Sequence, residues 1–266
     1  MNHPMTVTLL TDFGTQDAYV GVMKGVIAQI NPKIQVIDVT HAIPPQDIAA
    51  ARFNLMTAYP HFPQGTVHVA VVDPGVGTTR RAIAIQLGSS GYVVAPDNGL
   101  ASGVMSQVMS GTIRAIELDN SDYWYTPTPS RTFHGRDIFS PVGAHLASGV
   151  SIQQLGSPIS VESLVHLSLP SAQPLENGFS GVIQYIDVFG NLVTTIPGET
   201  VKSKQWSAQF KSIRIQSSET YGINTNPGER TAIIGSHGWV EIAVNGGHAA
   251  HVLNAAVGEN IAIRWE

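Results

Sequence analysis

Three short runs rich in β-branched and apolar residues, Met5 to Leu10, Ile34 to Val39 and Thr66 to Val72, recur with a helix-patterned segment in each interval. Consecutive parallel strands need a helical crossover, so this alternation predicts a parallel α/β sheet. After Asp17, residues Val22, Val26, Ile27 and Ile30 recur at helical spacing, and Pro32 ends that helix. Asp47 to Ala58 has helix-forming composition and stops before Pro60 and Pro63. Thr66 to Val72 is nearly all apolar, as befits a strand covered on both faces. The pattern continues with strands expected at Ala82 to Leu87, Tyr92 to Ala95 and Thr112 to Glu117, and helices at Gly99 to Met109 and Arg136 to Ser148.

The grammar then changes. Ser157 to Pro174 is rich in Ser and Pro, lacks periodicity and reads as a linker. Beyond Phe179, short β-rich pieces alternate with Gly, Asn and Pro turns: Ser180 to Asp187, Leu192 to Ile196, Ser212 to Gln216, Ala232 to Ile234, Trp239 to Val244 and Asn260 to Arg264. That pattern suits an antiparallel sheet or barrel. The expected organisation is an N-terminal parallel-type α/β sandwich domain over 1–165, a linker over 166–178 and a smaller antiparallel β-barrel domain over 179–266. A length of 266 residues accommodates both.

Composition narrows the function. Only 12% of residues are charged and the net charge of -5 is not gathered into runs, so a nucleic-acid footprint of clustered Lys and Arg is missing and a small substrate is expected. The absence of cysteine excludes disulfides, thiolate nucleophiles and cysteine metal sites. No basic-then-apolar leader is visible, and no apolar stretch approaches the roughly 20 residues of a membrane span. A cytoplasmic enzyme or binding protein is the expectation.

In an open parallel sheet, ligands bind beyond the carboxyl ends of the strands, which singles out three turns. The first is Thr11-Asp12-Phe13-Gly14, where Asp12 is either a receiver of two adjacent ribose hydroxyls or an ordinary turn residue. The second, Asp73-Pro74-Gly75-Val76-Gly77-Thr78-Thr79-Arg80-Arg81, carries glycines that admit a ligand closely, but no Gly-Lys-Ser/Thr of a phosphate loop. Asp73 and Arg80 make either a surface ion pair of little worth or a charged pair that polarises a water molecule. The third is Phe133-His134-Gly135-Arg136-Asp137, entering a helix. A lone His there is more often structural, and His134 gains interest only beside Asp73. His248 and His251 have a metal-compatible spacing, but the preceding Asn245-Gly246-Gly247 offers no third ligand.

These segments in this order resemble the S-adenosylmethionine hydroxide adenosyltransferases, relatives of the fluorinating and chlorinating enzymes that act on the same substrate. The resemblance is carried by TLLTDFGTQDAYVGVMKGVI, DVTHAIPPQDI, VVDPGVGT, APDNGLAS, TFHGRDIFSP, IDVFGN and EIAVNGGHAA, which span nearly the whole chain. It implies an N-terminal α/β domain with a C-terminal β-barrel, and a homotrimer whose sites lie between subunits. It further implies hydrolysis of S-adenosylmethionine to adenosine and methionine without metal or cofactor. By motif, the catalytic Asp, Arg and His fall on Asp73, Arg80 and His134, with Arg81 as the alternative arginine. Asp12 matches the ribose-binding carboxylate, Asp187 the partner of the methionine ammonium and Asn191 a reader of adenine. Phe189, Ser236, Asn254 and Ala255 complete the implied substrate site.

Two departures are informative. Halogenating relatives carry an aromatic residue where this chain has Asp73, which disfavours halide chemistry. At Gly235-Ser236-His237-Gly238 an imidazole stands where the family pattern has another aromatic ring. Two rival functions carry distinct signatures. A metal-dependent phosphoesterase would use Asp12, Asp73 and His134 as ligands and be chelator-sensitive. A non-catalytic adenosyl-ligand sensor would bind product tightly without turnover.

Overall fold

The structure is a computed structural model and describes residues 5–108, 112–223 and 225–266. The chain divides into two compact units, Met1–Leu167 and Ser168–Glu266.

In the first unit, β1 (Thr6–Thr11), β2 (Gln35–Thr40), β3 (Thr66–Val71), β4 (Ala82–Leu87), β5 (Gly91–Pro96), β6 (Ile113–Glu117) and β7 (Ser157–Ile159) form one sheet of order β2-β1-β3-β5-β4-β6-β7. The β2-β1-β3-β5 half is parallel, as the strand–helix alternation implied, whereas β4, β6 and β7 pair antiparallel. The turn after β3 is too short to house a crossover helix, so β4 must run antiparallel to its sheet neighbour.

Helices α1 (Tyr19–Ile30), α2 (Ile48–Ala58), α3 (Ser102–Met105) and α4 (Ser140–Ala147) flank this sheet. Val7, Leu9, Val67, Val69 and Val71 share one buried cluster with Met23 and Ile27 of α1 and Val142 and Ala144 of α4. The alternation of a strand sends His68 to the opposite face, against the rings of Tyr59 and Phe62. Gly143 lets α4 lie directly on β3, since a Cβ there would meet Val69 Cγ2 at 2.5 Å. Asp47 caps α2 by accepting from the Ala50 N–H at 2.9 Å.

Local differences from expectation have identifiable causes. The segment Ser157 to Pro174, read as linker, contributes β7, and Gln173–Leu175 forms β8 in the second unit. Pro158 and Pro174 lie in these short peripheral strands, where a missing N–H is tolerated, so a Ser/Pro-rich edge strand imitates a linker. The helix expected from Arg136 begins instead as a π-turn, Gly135–Phe139, before α4. Pro141 has no N–H for the Asp137 carbonyl, and the Tyr125 N–H takes that acceptor at 2.9 Å. The helix expected to reach Met109 is helical only over Ser102–Met105, and Met109 lies outside the described residues.

The second unit is an antiparallel barrel of β8, β9 (Gly178–Ile186), β10 (Leu192–Pro197), β11 (Trp206–Phe210), β12 (Ile213–Gln216), β13 (Arg230–Ile234), β14 (Trp239–Val244) and β15 (Asn260–Trp265). Its order is β12-β11-β15-β9-β10-β14-β13, with β8 on β9. A bridge between Ser217 and Ala232 joins the two ends, so the sheet curls back on itself. Phe210, Leu192, Ile196 and Ile242 fill the interior, and α5 (Ala249–Leu253) packs on it. β11 and α5 were not anticipated from the sequence. Among the described residues, no helix is long and apolar enough to cross a membrane.

Candidate active site

β1 and β3 are parallel neighbours with Thr11 opposite Val71, so their carboxyl ends open side by side. Asp12 follows β1 directly, and Asp73 lies two residues beyond β3. Tight turns then reverse the chain: Val76 N–H donates to the Asp73 carbonyl at 3.2 Å and Thr78 N–H to the Gly75 carbonyl at 3.2 Å. This return carries Arg80 back over Asp73. Gly77 fixes where the turn sits, with φ +75° and a backbone so near Arg131 that a Cβ would lie 2.3 Å from its carbonyl oxygen. The same approach sets the Arg131–His134 segment beside Arg80.

Arg80 Nε donates to both Asp73 carboxylate oxygens at 2.9 and 3.1 Å, and Arg80 Nη2 donates to Asp73 Oδ2 at 2.5 Å. Only 11% of the Arg80 side chain and 6% of the Asp73 side chain are exposed, so the pair is no surface ion pair. Arg80 Nη2 also lies 2.7 Å from His134 Nδ1. A guanidinium can only donate, so Nδ1 accepts and the neutral ring carries its proton on Nε2. Burial and the positive charge of Arg80 hold the His134 pKa below its ordinary 6.5, against smaller opposing pulls from Asp73, Asp137 and the Ser130 carbonyl. The result is a linear chain, Asp73–Arg80–His134, with the guanidinium in the middle.

Behind it, Asp137 is fully buried and receives Arg136 Nε at 2.6 Å and the Ser130 N–H at 2.8 Å. Burial pushes the Asp137 pKa up, but the bonds from Arg136 and Ser130 outweigh it and hold the carboxyl below its usual range.

A cleft of about 410 Å³ opens in front of this chain, walled by Asp12, Asp73, His134, Gln46, Thr132 and three aromatic rings. Phe13, Tyr19 and Phe133 have ring centroids 5.3 to 6.0 Å apart in tilted and edge-to-face arrangements. The charged side chains on the wall are both acidic, Asp12 and Asp73, so the cleft suits a cationic, partly apolar ligand. A larger cavity of about 620 Å³ lies at the amino end of β3, around Tyr59, Phe62 and His68. It is far from the carboxylates and is lined mostly by carbon. Position beyond the strand ends and convergent polar groups, rather than size, mark the smaller cleft as the candidate site.

In the second unit, Asp187, Phe189 and Asn191 share the turn between β9 and β10. Asp187 Oδ1 accepts from the N–H groups of Phe189 and Asn191 at 2.9 and 2.8 Å, and Oδ2 accepts from Asn191 Nδ2 at 2.9 Å. A carboxylate has about four lone-pair sites, and the hydrogen bonds among the described residues use three of them. Phe189 is 72% exposed and its neighbour Val188 87% exposed. Asn254 ends α5 in a left-handed conformation, its carbonyl accepting from Lys211 Nζ at 2.7 Å, and Ala255 N–H returns to the Ala250 carbonyl. Ser236 sits in the β13–β14 turn, at the other end of the β10–β14 ladder from Asp187. His237 in that turn is locked, with Nε2 2.9 Å from Glu241 Oε2 and Nδ1 accepting from the Trp239 N–H at 3.1 Å.

The structure thus brings together Asp12, Asp73, Arg80 and His134 in the first unit, and Asp187, Phe189 and Asn191 in one turn of the second. Arg81, the alternative arginine, turns away to Asp97 and Ser163, whereas Arg80 pairs with Asp73 and His134. Tyr19 and Gln46 of the cleft wall were missed, because an aromatic at a helix start and a backbone N–H leave little trace in a sequence. His248 and His251 stack on each other at 3.7 Å, and no group of three or more His, Asp or Glu side chains placed for a metal ion occurs among the described residues.

Residues 7–156 match the SAM hydroxide adenosyltransferase N-terminal domain and residues 181–262 the C-terminal domain. The chain belongs to the SAM hydroxide adenosyltransferase family. It is 38% identical over 257 residues to the (R)-S-adenosyl-L-methionine hydrolase of Salinispora tropica, covering 97% of each chain. The enzyme of the same name from Thermus thermophilus is 38% identical over 262 residues, covering 95% of this chain and 96% of that one. A fluorinase from an Actinoplanes species is more distant, at 26% identity and 97% coverage of this chain. Among solved structures, a conserved Thermotoga maritima protein superposes with a TM-score of 0.89 at 35% identity, covering 97% of this chain and 99% of its own.

Proposed function

We propose that this chain hydrolyses the R sulfonium epimer of S-adenosyl-L-methionine to adenosine and L-methionine. The observation that carries the proposal is the half-buried Asp73–Arg80–His134 chain at the head of an acidic, aromatic-walled cleft. The names of the similar hydrolases support the substrate and its epimer.

The substrate arrives activated, because its sulfonium lets a neutral thioether leave. Water attacks the ribose 5′ carbon opposite sulfur, the carbon–sulfur bond breaks with its electron pair going to sulfur, and the water loses one proton. Bulk water, with a pKa of about 15.7, is a poor nucleophile. Asp73 accepts the hydrogen bond or proton of the attacking water, and the Arg80 charge favours hydroxide character as the bond forms. His134 locks the guanidinium through Nδ1, so that Arg80 is aimed before substrate arrives. Asp12 takes the ribose hydroxyls, the cleft carboxylates and rings favour a sulfonium over a neutral thioether, and Asp187 with Asn191 serves the methionine ammonium and adenine. No metal or organic cofactor takes part in this scheme. A metal-dependent phosphoesterase fits the donor set less well, since a guanidinium already lies against both Asp73 and His134.

We extend the proposal to a homotrimer, one copy's N-terminal cleft being completed by C-terminal residues of a neighbour. The exposed Val188–Phe189 pair supports this, as apolar surface that assembly would cover. The test is to incubate purified protein with a mixture of sulfonium epimers and resolve the products chromatographically, with the mass in solution measured alongside. Preferential loss of the R epimer with equimolar adenosine and methionine is expected. Adenosine-free products would sink the activity, and a fully active monomer the assembly.

A further inference from the structure

The side chain of Asp12 stands in a turn that is held at both ends by one loop, His41 to Gln46, which the chemistry above does not use. His41 is 6% exposed, and its Nδ1 lies 2.8 Å from Thr11 Oγ1, on the residue before Asp12. Its backbone carbonyl accepts from the N–H of Gly14, two residues after Asp12, at 2.8 Å. At the other end of the loop, the Gln46 N–H donates to Asp12 Oδ2 itself at 2.8 Å. Gln46 adopts φ +67°, a left-handed conformation that a non-glycine residue holds only where its surroundings impose it.

Thr11 Oγ1 accepts from the Phe13 N–H at 3.2 Å and has a lone pair and its own hydrogen left for His41 Nδ1. His41 Nε2 faces Asp38 Oδ1 at 3.1 Å, and the carboxylate favours a ring proton on that nitrogen, so that in the neutral ring Nδ1 accepts from the Thr11 hydroxyl. Lys24 Nζ donates to Asp38 Oδ2 at 2.6 Å and anchors the chain to α1. With that tautomer the Thr11 hydroxyl donates toward His41 and the ring N–H points toward Asp38. The backbone bonds of Gly14 and Gln46 close the loop round Asp12, leaving Oδ1 of that carboxylate without a partner inside the turn.

We propose that His41 is a positioning residue for Asp12, and that the Asp38–His41–Thr11 chain holds that carboxylate in the orientation that receives the vicinal hydroxyls of a ribose. A carboxylate spanning two hydroxyls must be held to within about 0.5 Å and 10–20°, and an aspartate on an unbraced turn is not so confined. The proposal rests on the assignment of Asp12 to the ribose, and it makes His41 a determinant of hydroxyl specificity that never touches ligand.

The experiment compares inhibition constants of adenosine, 2′-deoxyadenosine and 3′-deoxyadenosine for wild type, Asp12→Ala, His41→Ala, the double variant and His41→Asn. Wild type is expected to prefer adenosine over each deoxy analogue by about 10-fold or more, the size of a charge-assisted hydrogen bond. That preference should disappear in Asp12→Ala and fall below about 3-fold in His41→Ala. His41→Ala should change nothing further in the Asp12→Ala background, since a residue acting through another is silent without it. His41→Asn keeps an acceptor for the Thr11 hydroxyl and should restore the preference, which also covers the case in which His41→Ala fails to fold. Full preference in His41→Ala, or in its place loss of the preference in a folded His41→Asn, overturns the proposal. A preference unchanged by Asp12→Ala overturns the ribose assignment beneath it.

Discussion

Arg80 and Arg81 are adjacent, both charged and both paired with an aspartate, yet only Arg80 is bonded to residues that line the cleft, Asp73 and His134. Arg80→Lys therefore separates fork geometry from charge. The guanidinium serves Asp73 from two nitrogens, one of which also serves His134, whereas lysine offers one nitrogen on a side chain one bond shorter and has no counterpart of the Nε donor. Asp73 Oδ1, which only Nε serves, loses its donor. An unsatisfied acceptor shielded from water costs about 1–3 kcal/mol, so folding stability should fall by about that amount. Turnover at saturating substrate should fall about 100-fold or more, because the lost bonds fix the group that faces the nucleophile as charge develops. Arg81→Lys removes comparable bonds to Asp97 and Ser163 and should cost similar stability, with turnover kept within about 3-fold. Adenosine release by chromatography and urea unfolding read the two quantities separately. Equal turnover losses in both variants, or an Arg80→Lys enzyme that turns over normally, would refute the reasoning.

Three further expectations follow from single environments. Neutral His134 accepts from Arg80, and its pKa lies below 6.5, so turnover should hold above that pH and fall as pH drops through the lowered value; an acid limb centred above 6.5 would contradict this. His68, 1% exposed and bonded to Thr8 Oγ1 at 2.8 Å, is pushed down to about 4 by burial. Its contribution to stability is complete above the unfolded value of 6.5 and is lost as pH falls to about 4, which amounts to about 3 kcal/mol. Unfolding measured against pH should show that slope reduced in His68→Asn, and parallel curves would count against it. Asp187→Asn keeps an oxygen for the Phe189 and Asn191 N–H groups but removes the charge. S-adenosylmethionine should bind about 10-fold more weakly while adenosine affinity is retained, and equal losses would make Asp187 a turn residue only.

The sequence made the strand–helix alternation legible because each N-terminal element carries its own period, and the buried run ending at Val72 announced the turn that bears Asp73. What it hid was decided by tertiary partners. Pro158 looks like linker chemistry until β6 supplies an edge to pair with, and the π-turn at Gly135 depends on Tyr125 claiming the carbonyl that Pro141 cannot serve. In the site, acidic and basic residues at turns were visible as types, whereas their pairing was not. Arg80 and Arg81 read alike until Gly77 pins the turn against Arg131 and sends one side chain to Asp73 and the other to Asp97. Gln46 contributes only a backbone N–H, which no side-chain pattern records.

The central claim is that water attacks carbon at the ribose 5′ position, and isotope placement tests it most directly. Purified protein is incubated with S-adenosylmethionine in water enriched in heavy oxygen, and both products are weighed by mass spectrometry. One labelled oxygen in the 5′ hydroxyl of adenosine, with methionine unlabelled beyond exchange controls, is the predicted result. Adenosine formed without label, or no adenosine at all, would contradict the account.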